Sequence, residues 1–425
     1  MLARNLKRKF LPEVVFFILI FGLFLFRLTY FNFLVFDENY YVLSAIDIFL
    51  GHDDSNFEHP QLAKYLISLP FAYLGVWSFS WRLMPMMVGF LGVILIYIFG
   101  LKLGLSRIQG MIASLMLVGS GSWFVLSRLA MLDIFVSFFV LCAGFSLYIY
   151  LRENKFSRNF SEYSLSRYLW LYLLFTGFAG SCKLSGFFTL SFVVFYVIFY
   201  LESKLKEKII CLSMILFVPL VLYVLVNTAI LGGDVGKFYS RTIKAFTYHN
   251  TLMLPGNYEE YQLAKRENLN LDDTQTPESK GRLSSGYKGF FQFIFQNHIL
   301  YFISDYKVYA LEGFALSNNQ FVASGLLGSF LITMLSAIGK MIRVKQGVKV
   351  LNSFPTVEKP ELLFLLGISL SLVLPWIFIP RVQYAFYYVP AFPFIILWVC
   401  IFIFNYVNGR IRLGLLICYF LYSAY

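Results

Sequence analysis

The sequences FDENY at residues 36–40 and FEHPQLAK at residues 57–64 hold an unusual share of the acidic residues of this chain. Asp37 and Glu38 follow the first long apolar run, and Glu58, His59 and Lys64 come just before the second. Because only 14% of the residues are charged, such a group beside apolar segments is conspicuous. It is either a solvated acidic loop or a site of chemistry. Charges next to a bilayer are costly to desolvate, which favours chemistry.

The composition identifies the class of protein. The chain has 425 residues, is 59% hydrophobic and has a mean hydropathy of +0.70. Apolar runs of about twenty residues recur along its length, which predicts an all-α polytopic membrane protein. The first run is too long for a cleavable signal and is predicted to be a retained span. The net charge of +12 fits the positive-inside rule better than nucleic-acid binding, so we predict no nucleic-acid partner.

The apolar runs predict about eleven spans. They lie at residues 12–33, 82–104, 110–127, 132–151, 168–182, 184–201, 208–231, 322–342, 361–380, 386–406 and 410–425. We therefore divide the chain into a catalytic membrane module at residues 1–231 with a first non-cytoplasmic loop at 34–81, a long non-cytoplasmic loop at 232–321, and a second membrane module at 322–425. The end of the chain within an apolar run indicates a short last span or an incomplete chain.

Charge in the loops sets the orientation. Clusters of lysine and arginine alternate with acidic loops, and the basic side is predicted to be cytoplasmic. The opposite side receives the loop at 34–81, the segment from Arg128 to Asp133, then Lys183 and Arg381. Cations kept on that side against the bias either snorkel at the interface or meet an anion. Their convergence with several acids favours the anion.

Other segments of the chain carry weaker signals. Residues Gln61–Tyr73 and Phe290–Phe302 are predicted to form interfacial helices, the first N-capped near Glu58 with Pro60 in its first turn. No Rossmann or P-loop pattern is present. The cysteines and histidines have no metal-like spacing, so no metal site and no disulfide framework is predicted. The acidic residues could still bind a divalent cation through their carboxylate oxygens.

External acids and external cations together fit group transfer from a lipid phosphate. Arginine or lysine would bind the phosphate, and a carboxylate would take the proton of an acceptor hydroxyl. A transporter is the main alternative, but transporters place such charges near the bilayer midplane. A non-catalytic scaffold is the third candidate.

Five elements of the sequence resemble the protein O-mannosyltransferase family. They are Asp37-Glu38, the HPQLAK element at 59–64, the RLAMLD element at 128–133, the GFAGSCKLSG element at 177–186, and the YYVPA element at 387–391. The resemblance covers most of residues 30–200 and 375–405. It implies the glycosyltransferase C-type fold, a dolichyl- or polyprenyl-phosphate sugar donor, and an inverting transfer to Ser or Thr of a translocated protein.

On the acceptor side, the resemblance implies that Asp37 is the general base and that Glu38 helps to place the acceptor. It places Glu58 and His59 on the acceptor or leaving-group side. Lys64 matches a lysine of the family, where it either contacts substrate or anchors the interfacial helix.

On the donor side, the resemblance implies that Arg128 and Lys183 bind the phosphate. Asp133 would hold one of them or shape the site, unless it only caps its helix. Arg381, near the end of the chain, resembles a basic residue of the family that approaches the donor phosphate. No cofactor is required for this chemistry.

Two departures from the family bear on the acceptor. Gln61 stands where the family usually has a second proline, and the loop at 232–321 is too short for the β-trefoil insert of eukaryotic members. Glu58-His59-Pro60 lies between this family's pattern and that of the lipid A aminoarabinose transferases. A lipid acceptor is therefore the alternative. The expected location is a prokaryotic cell membrane, or the endoplasmic reticulum in a eukaryote, with the site on the non-cytoplasmic face. Dimer formation is left open.

Overall fold

The computed structural model describes residues 10–159, 166–252, 282–285, 359–379 and 382–424. Over these residues the chain is almost entirely helical. The α-helices in chain order are α1 Leu11–Leu25, α2 Glu38–Leu50, α3 Leu62–Ser68, α4 Phe71–Leu74, α5 Ser78–Lys102, α6 Arg107–Val118, α7 Ser122–Leu126, α8 Leu132–Glu153, α9 Arg167–Cys182, α10 Thr189–Phe195, α11 Leu205–Ile230, α12 Val235–Leu252, α13 Pro360–Val373, α14 Pro375–Phe378, α15 Phe392–Tyr406 and α16 Gly409–Ala424. Shorter turns form the 3₁₀ helices Leu184–Phe188 and Ala385–Ala391 and the π-helix Tyr196–Tyr200.

The helical membrane class is confirmed. Within the described ranges, five helical segments are long and apolar enough to cross a bilayer, and each falls on a predicted span. They are Ser78–Lys102, Leu132–Glu153, Leu205–Ile230, Pro360–Phe378 and Phe386–Tyr406. Shorter apolar helices lie on three further predicted spans, at Leu11–Leu25, Arg107–Val118 and Leu184–Tyr200. The predicted span at 322–342 lies outside the described residues.

The first predicted span differs from the structure at its end. We predicted a span over residues 12–33, but α1 ends at Leu25 and the chain continues in turns, with Arg27 at a φ of 54°. The reason lies in a distant helix. Arg82 of α5 donates to the carbonyls of Leu28, Phe31 and Phe33 and so satisfies backbone groups that a continued helix would have paired internally.

The loop between the first two spans is more helical than the sequence indicated. Helix α2 begins immediately after Asp37, in a segment for which the sequence predicts no helix. The predicted interfacial helix at 61–73 is present as α3 and α4, which break at Pro70. Its N-cap is Gln61, so Pro60 precedes the helix and does not lie in its first turn.

Part of the long loop also folds. Helix α12 lies inside the range that we assigned to the loop at 232–321. Strand β1, Arg282–Ser285, pairs antiparallel with β2, Val382–Tyr384, in the register Arg282↔Tyr384 and Leu283↔Gln383. The loop is therefore tied by backbone hydrogen bonds to the segment that precedes the 3₁₀ helix Ala385–Ala391. The predicted helix Phe290–Phe302 lies outside the described residues.

Candidate active site

Glu38 is buried and bound at both carboxylate oxygens. Its Oε1 accepts from Arg82 Nε at 2.9 Å and from the Ala130 amide at 2.8 Å. Its Oε2 accepts from Arg82 Nη2 at 2.7 Å and from the Val35 amide at 2.9 Å. A carboxylate with four donors has little capacity left for a substrate. These hydrogen bonds join the start of α2 to α5 and to the segment before α8. They therefore fix the position of the neighbouring residue, Asp37.

Asp37 is the N-cap residue of α2 and is half-buried. The preceding residue, Phe36, has a φ of 54°, a left-handed conformation that is uncommon for phenylalanine and turns the chain sharply before the acid. One α-helical turn later, the Tyr41 hydroxyl donates to Asp37 Oδ2 at 3.3 Å. The acid is thus presented at a helix start, beside a hydroxyl donor.

Tyr41 marks the point at which the acids converge. Burial raises the pKa of its hydroxyl well above the usual value, and the charges of Asp37, Asp133 and Glu58 raise it further. The hydroxyl therefore stays protonated and acts as a hydrogen-bond donor. The three acids that act on this hydroxyl come from separate parts of the sequence, and Asp37 is in direct contact with it.

Lys183 and Asp133 form a second buried pair. Lys183 Nζ lies 2.8 Å from Asp133 Oδ1, while Asp133 Oδ2 is buried without a hydrogen-bond partner. The ammonium also lies 4.5 Å from the ring centre of Tyr387 and 5.4 Å from that of Phe386. Asp133 sits in the first turn of α8 and binds Lys183 at the same time, which is one of the arrangements that the sequence left open.

A glycine allows Lys183 to reach this position. The 3₁₀ helix Leu184–Phe188 folds back on the end of α9 so closely that a Cβ on Gly186 would lie 2.3 Å from the carbonyl carbon of Ala179. Any side chain at this position would push the turn away from α9.

Arg128 has a different environment from the one that the resemblance implied. Its guanidinium donates through Nη1 to the carbonyls of Leu23 at 3.2 Å and Phe24 at 2.9 Å, the last turn of α1. It also lies over the Phe124 ring at 5.2 Å. Arginine at a helix C-terminus satisfies orphan carbonyls and complements the helix dipole. The cap on α1 uses Nη1, while Nε is buried without a hydrogen-bond partner. The phosphate role of Arg128 therefore stays a prediction beside the observed cap.

Lys64 is completely buried. Its ammonium donates to Asp54 Oδ2 at 2.5 Å and to the carbonyls of Asn56 at 2.6 Å and His59 at 3.0 Å. Burial lowers the pKa of Lys64 to about 8, against the opposing effect of Asp54. All three ammonium protons have acceptors within the loop. Of the two roles that the sequence left open, this geometry favours the anchor.

A cavity of 490 Å³ opens beside these groups. Its walls are residues 57–61 of the first loop, the turn from Lys183 to Phe188, and parts of α11, α12 and α14. The lining is largely apolar, and its acidic, basic and histidine side chains in the described part of the chain are Glu58, His59, Lys183 and Arg241. An apolar cavity with a few charged groups in its lining fits a ligand with an apolar body and a charged head.

Contacts in the structure link most of the predicted site residues. Glu58, His59 and Lys183 line one cavity, and Asp133 pairs with Lys183. The Tyr41 side chain contacts Asp37 and lies edge-on to the His59 ring at 5.9 Å. Arg381 lies outside the described residues. Sequence reasoning missed Tyr41, Asp54 and Arg241, and it gave no role to Arg82, the first residue of the span predicted at 82–104. For Arg82 a signal existed, because an arginine several residues inside an apolar helix needs a buried partner.

Comparison with known proteins gives concordant results. A family model described as Dolichyl-phosphate-mannose-protein mannosyltransferase matches residues 14–233, just over half of the chain. The polyprenol-phosphate-mannose–protein mannosyltransferase of Corynebacterium glutamicum is 27% identical over 230 residues, which cover 45% of this chain and 44% of that protein. Human protein O-mannosyl-transferase 1 is 33% identical over 193 residues, which cover 39% of this chain and 24% of that protein. The chain spans less than half the length of these relatives.

The fold is shared with a solved structure. ArnT from Cupriavidus metallidurans in the apo state superposes with a TM-score of 0.58 at 13% identity, over 95% of this chain and 61% of ArnT. The chain therefore has the glycosyltransferase C-type fold, as the resemblance implied. The family model runs from α1 to the end of α11 and includes Asp37, the segment from Arg128 to Asp133, and Lys183. The chain belongs to the dolichyl-phosphate-mannose-protein mannosyltransferase family.

Proposed function

We propose that the protein is an inverting membrane glycosyltransferase that moves mannose from a polyprenyl phosphate to a Ser or Thr hydroxyl of a translocated protein. The observation that carries this proposal is a carboxylate, Asp37, hydrogen-bonded to Tyr41 at a helix start, together with Lys183 paired to Asp133 on the wall of an apolar cavity that Glu58 also lines. A base and a phosphate-binding cation are the two groups that the reaction needs from the protein.

The proposed step uses Asp37 as the base. Its carboxylate takes the proton of the acceptor hydroxyl as the oxygen attacks the anomeric carbon of the sugar. The new C–O bond forms on the face opposite the phosphate, and the old C–O bond breaks with its electron pair going to the phosphate oxygen. The configuration at the anomeric carbon inverts. The Tyr41 hydroxyl orients the carboxylate, because it stays protonated and donates to Oδ2.

Lys183 is proposed to stabilise the leaving phosphate. The ammonium lines the cavity and lies against aromatic rings, in a setting of low polarity where its charge acts more strongly than in water. Asp133 holds it in position through one oxygen. The charge of the leaving group is met by a protein side chain, so the step draws on no cofactor.

The membrane face also belongs to the proposal. The basic loops of the sequence support a cytoplasmic location for the opposite side, so we place the cavity on the non-cytoplasmic face. A labelling experiment tests this: a cysteine introduced at the exposed Tyr73 should react with an impermeant maleimide added to intact cells, and one introduced at Lys102 should not.

The test of function is transfer of radiolabelled mannose from dolichyl-phosphate-mannose or its polyprenyl equivalent by the purified chain. Peptides rich in Ser and Thr and a lipid A acceptor are run in parallel, each with and without a chelator. We expect label in the peptide fraction in both conditions. Label in the lipid fraction alone would establish the alternative lipid acceptor, and no transfer to either acceptor would overturn the proposed activity.

Lys183 and Arg128 can be separated by one matched pair of variants. Lys183→Met is expected to raise the donor KM about 10- to 100-fold, because a charge-assisted contact to the phosphate is lost. Arg128→Met should leave the donor KM within about threefold of wild type and lower the thermal midpoint, because the α1 carbonyls lose their donor. Equal increases in donor KM for the two variants would return Arg128 to the phosphate site that the resemblance implied.

A further inference from the structure

A buried cluster of polar side chains connects three parts of the chain beside the cavity. We call it the Asp54 cluster, and it consists of Ser44, Asp54, Asn56, Lys64 and Arg241. The Asp54 carboxylate accepts hydrogen bonds from Lys64 at 2.5 Å, from Arg241 at 2.9 Å, from the backbone amide of Asn56 at 2.8 Å, and from the Ser44 hydroxyl. Only 1% of the Asp54 side chain is exposed. One carboxylate therefore balances two buried cations that come from different helices.

Arg241 brings a distant part of the sequence to the first loop. It lies on α12 and donates through Nη1 to the Asp54 carbonyl at 2.8 Å and through Nη2 to the Asn56 carbonyl at 3.1 Å, in addition to the Asp54 carboxylate. A planar guanidinium with three acceptors in one loop fixes the orientation of that loop better than a single ion pair does. The contact spans 187 residues of sequence.

The two segments that the cluster joins are both walls of the cavity. The loop contributes residues 57–61, and α12 contributes Arg241 and Thr242 among others. Lys64 also fixes this loop, because its ammonium donates to the carbonyls of Asn56 and His59, which lie on either side of Glu58 in the sequence. The backbone amide of Gln61 donates to the side-chain oxygen of Asn227 in α11 at 2.6 Å. The position of Glu58 and His59 thus depends on groups outside the loop.

We infer that Asp54 and Arg241 are positioning residues that set the acceptor wall of the cavity, Glu58 and His59, at a fixed distance from the donor wall at Lys183. The expected effect on mannose transfer rests on the proposed function. The hydrogen bonds between Arg241 and residues 54–56, which we call the tie, are a property of the fold alone. Asp54 and Arg241 do not touch the reacting atoms. They act through the backbone of residues 54–59.

The neighbouring exposed ion pair provides a matched control. Lys237 lies one turn before Arg241 on α12 and pairs with Asp53, the residue before Asp54. The Asp53 side chain is 80% exposed, whereas that of Arg241 is only 13% exposed. Exposed pairs contribute little to structure. The variants Lys237→Gln and Asp53→Asn therefore change the same two segments without breaking the buried tie.

The first measurement is hydrogen exchange of the peptide covering residues 51–61 in the full chain. Arg241→Gln and Asp54→Asn are expected to raise exchange in this peptide about 10- to 100-fold, the factor that corresponds to losing a charge-assisted hydrogen bond. The double variant should raise exchange by less than the product of the two single factors, because both changes remove the hydrogen bond between Arg241 and the Asp54 carboxylate. Lys237→Gln and Asp53→Asn should stay near wild type. Unchanged exchange in Arg241→Gln, or equal increases in the control variants, would overturn the inference.

The second measurement is kinetic and separates positioning from general destabilisation. Arg241→Gln is expected to raise the acceptor KM about tenfold and to leave the donor KM within about threefold. Arg241→Lys should recover part of the loss, since a lysine reaches Asp54 but cannot also hold both carbonyls. Proportional changes in both KM values would reduce the cluster to a stabilising role. If the wild-type chain transfers no mannose, the proposed function fails, and the exchange measurement still decides whether the tie exists.

Discussion

Replacing Asp37 with asparagine is expected to lower the rate of mannose transfer about 10²- to 10⁴-fold, the usual effect of removing a general base. An aliphatic hydroxyl is too weak an acid to lose its proton unaided during the attack, and an amide cannot accept it. The fold should be retained. Asparagine is as good an N-cap residue as aspartate, and the Asp37 side chain makes no capping hydrogen bond to α2.

The matched control for Asp37→Asn is Asp47→Asn on the same helix. Asp47 accepts a hydrogen bond from the Ser55 amide at 3.0 Å, and an asparagine oxygen can do the same. We expect transfer by this variant within about twofold of wild type. Both variants are compared by initial rate at saturating donor and acceptor, with thermal unfolding as the test of folding. Wild-type transfer by Asp37→Asn would show that another group removes the proton.

The membrane architecture could be predicted because bilayer thickness dictates the length of apolar runs. The five long spans in the described residues lie where hydropathy placed them. The order of the motifs also predicts that Asp37 and Lys183 lie on one side of the membrane, and this stays a prediction. These features depend on local composition and on the alternation of loop charge, and both can be read along the chain.

The partners of the buried charges could not be predicted in the same way. The resemblance implied that Arg128 binds the phosphate, but nothing in the sequence indicated that its guanidinium would also donate to the end of α1, about a hundred residues earlier. Arg241 finds Asp54 across 187 residues. A charged residue in an apolar context predicts that a partner exists, but its identity depends on how the helices pack. The early end of α1 has the same origin, since it depends on Arg82.

Arg82→Met is expected to lower the free energy of unfolding by about 3–5 kcal/mol, the cost of breaking a buried ion pair from one side. The Glu38 side chain is fully buried and would be left with only the amides of Val35 and Ala130 as donors. The carbonyls of Leu28, Phe31 and Phe33 would also lose the guanidinium. Transfer should fall with stability, because Glu38 holds the residue next to Asp37. Thermal and denaturant unfolding of the purified chain measure the change.

The control for Arg82→Met is an exposed pair, and a double variant tests the mechanism. Arg158 and Glu202 lie 3.2 Å apart, but their side chains are 59% and 69% exposed, so Arg158→Met should cost about 1 kcal/mol or less. In Arg82→Met with Glu38→Gln, the buried charge is gone, and the loss should be smaller than the sum of the single losses. If the losses were additive, the two side chains would act independently. The segment from Leu28 to Asp37 would then owe its position to apolar packing, and the charge of Glu38 would have no part in placing the base.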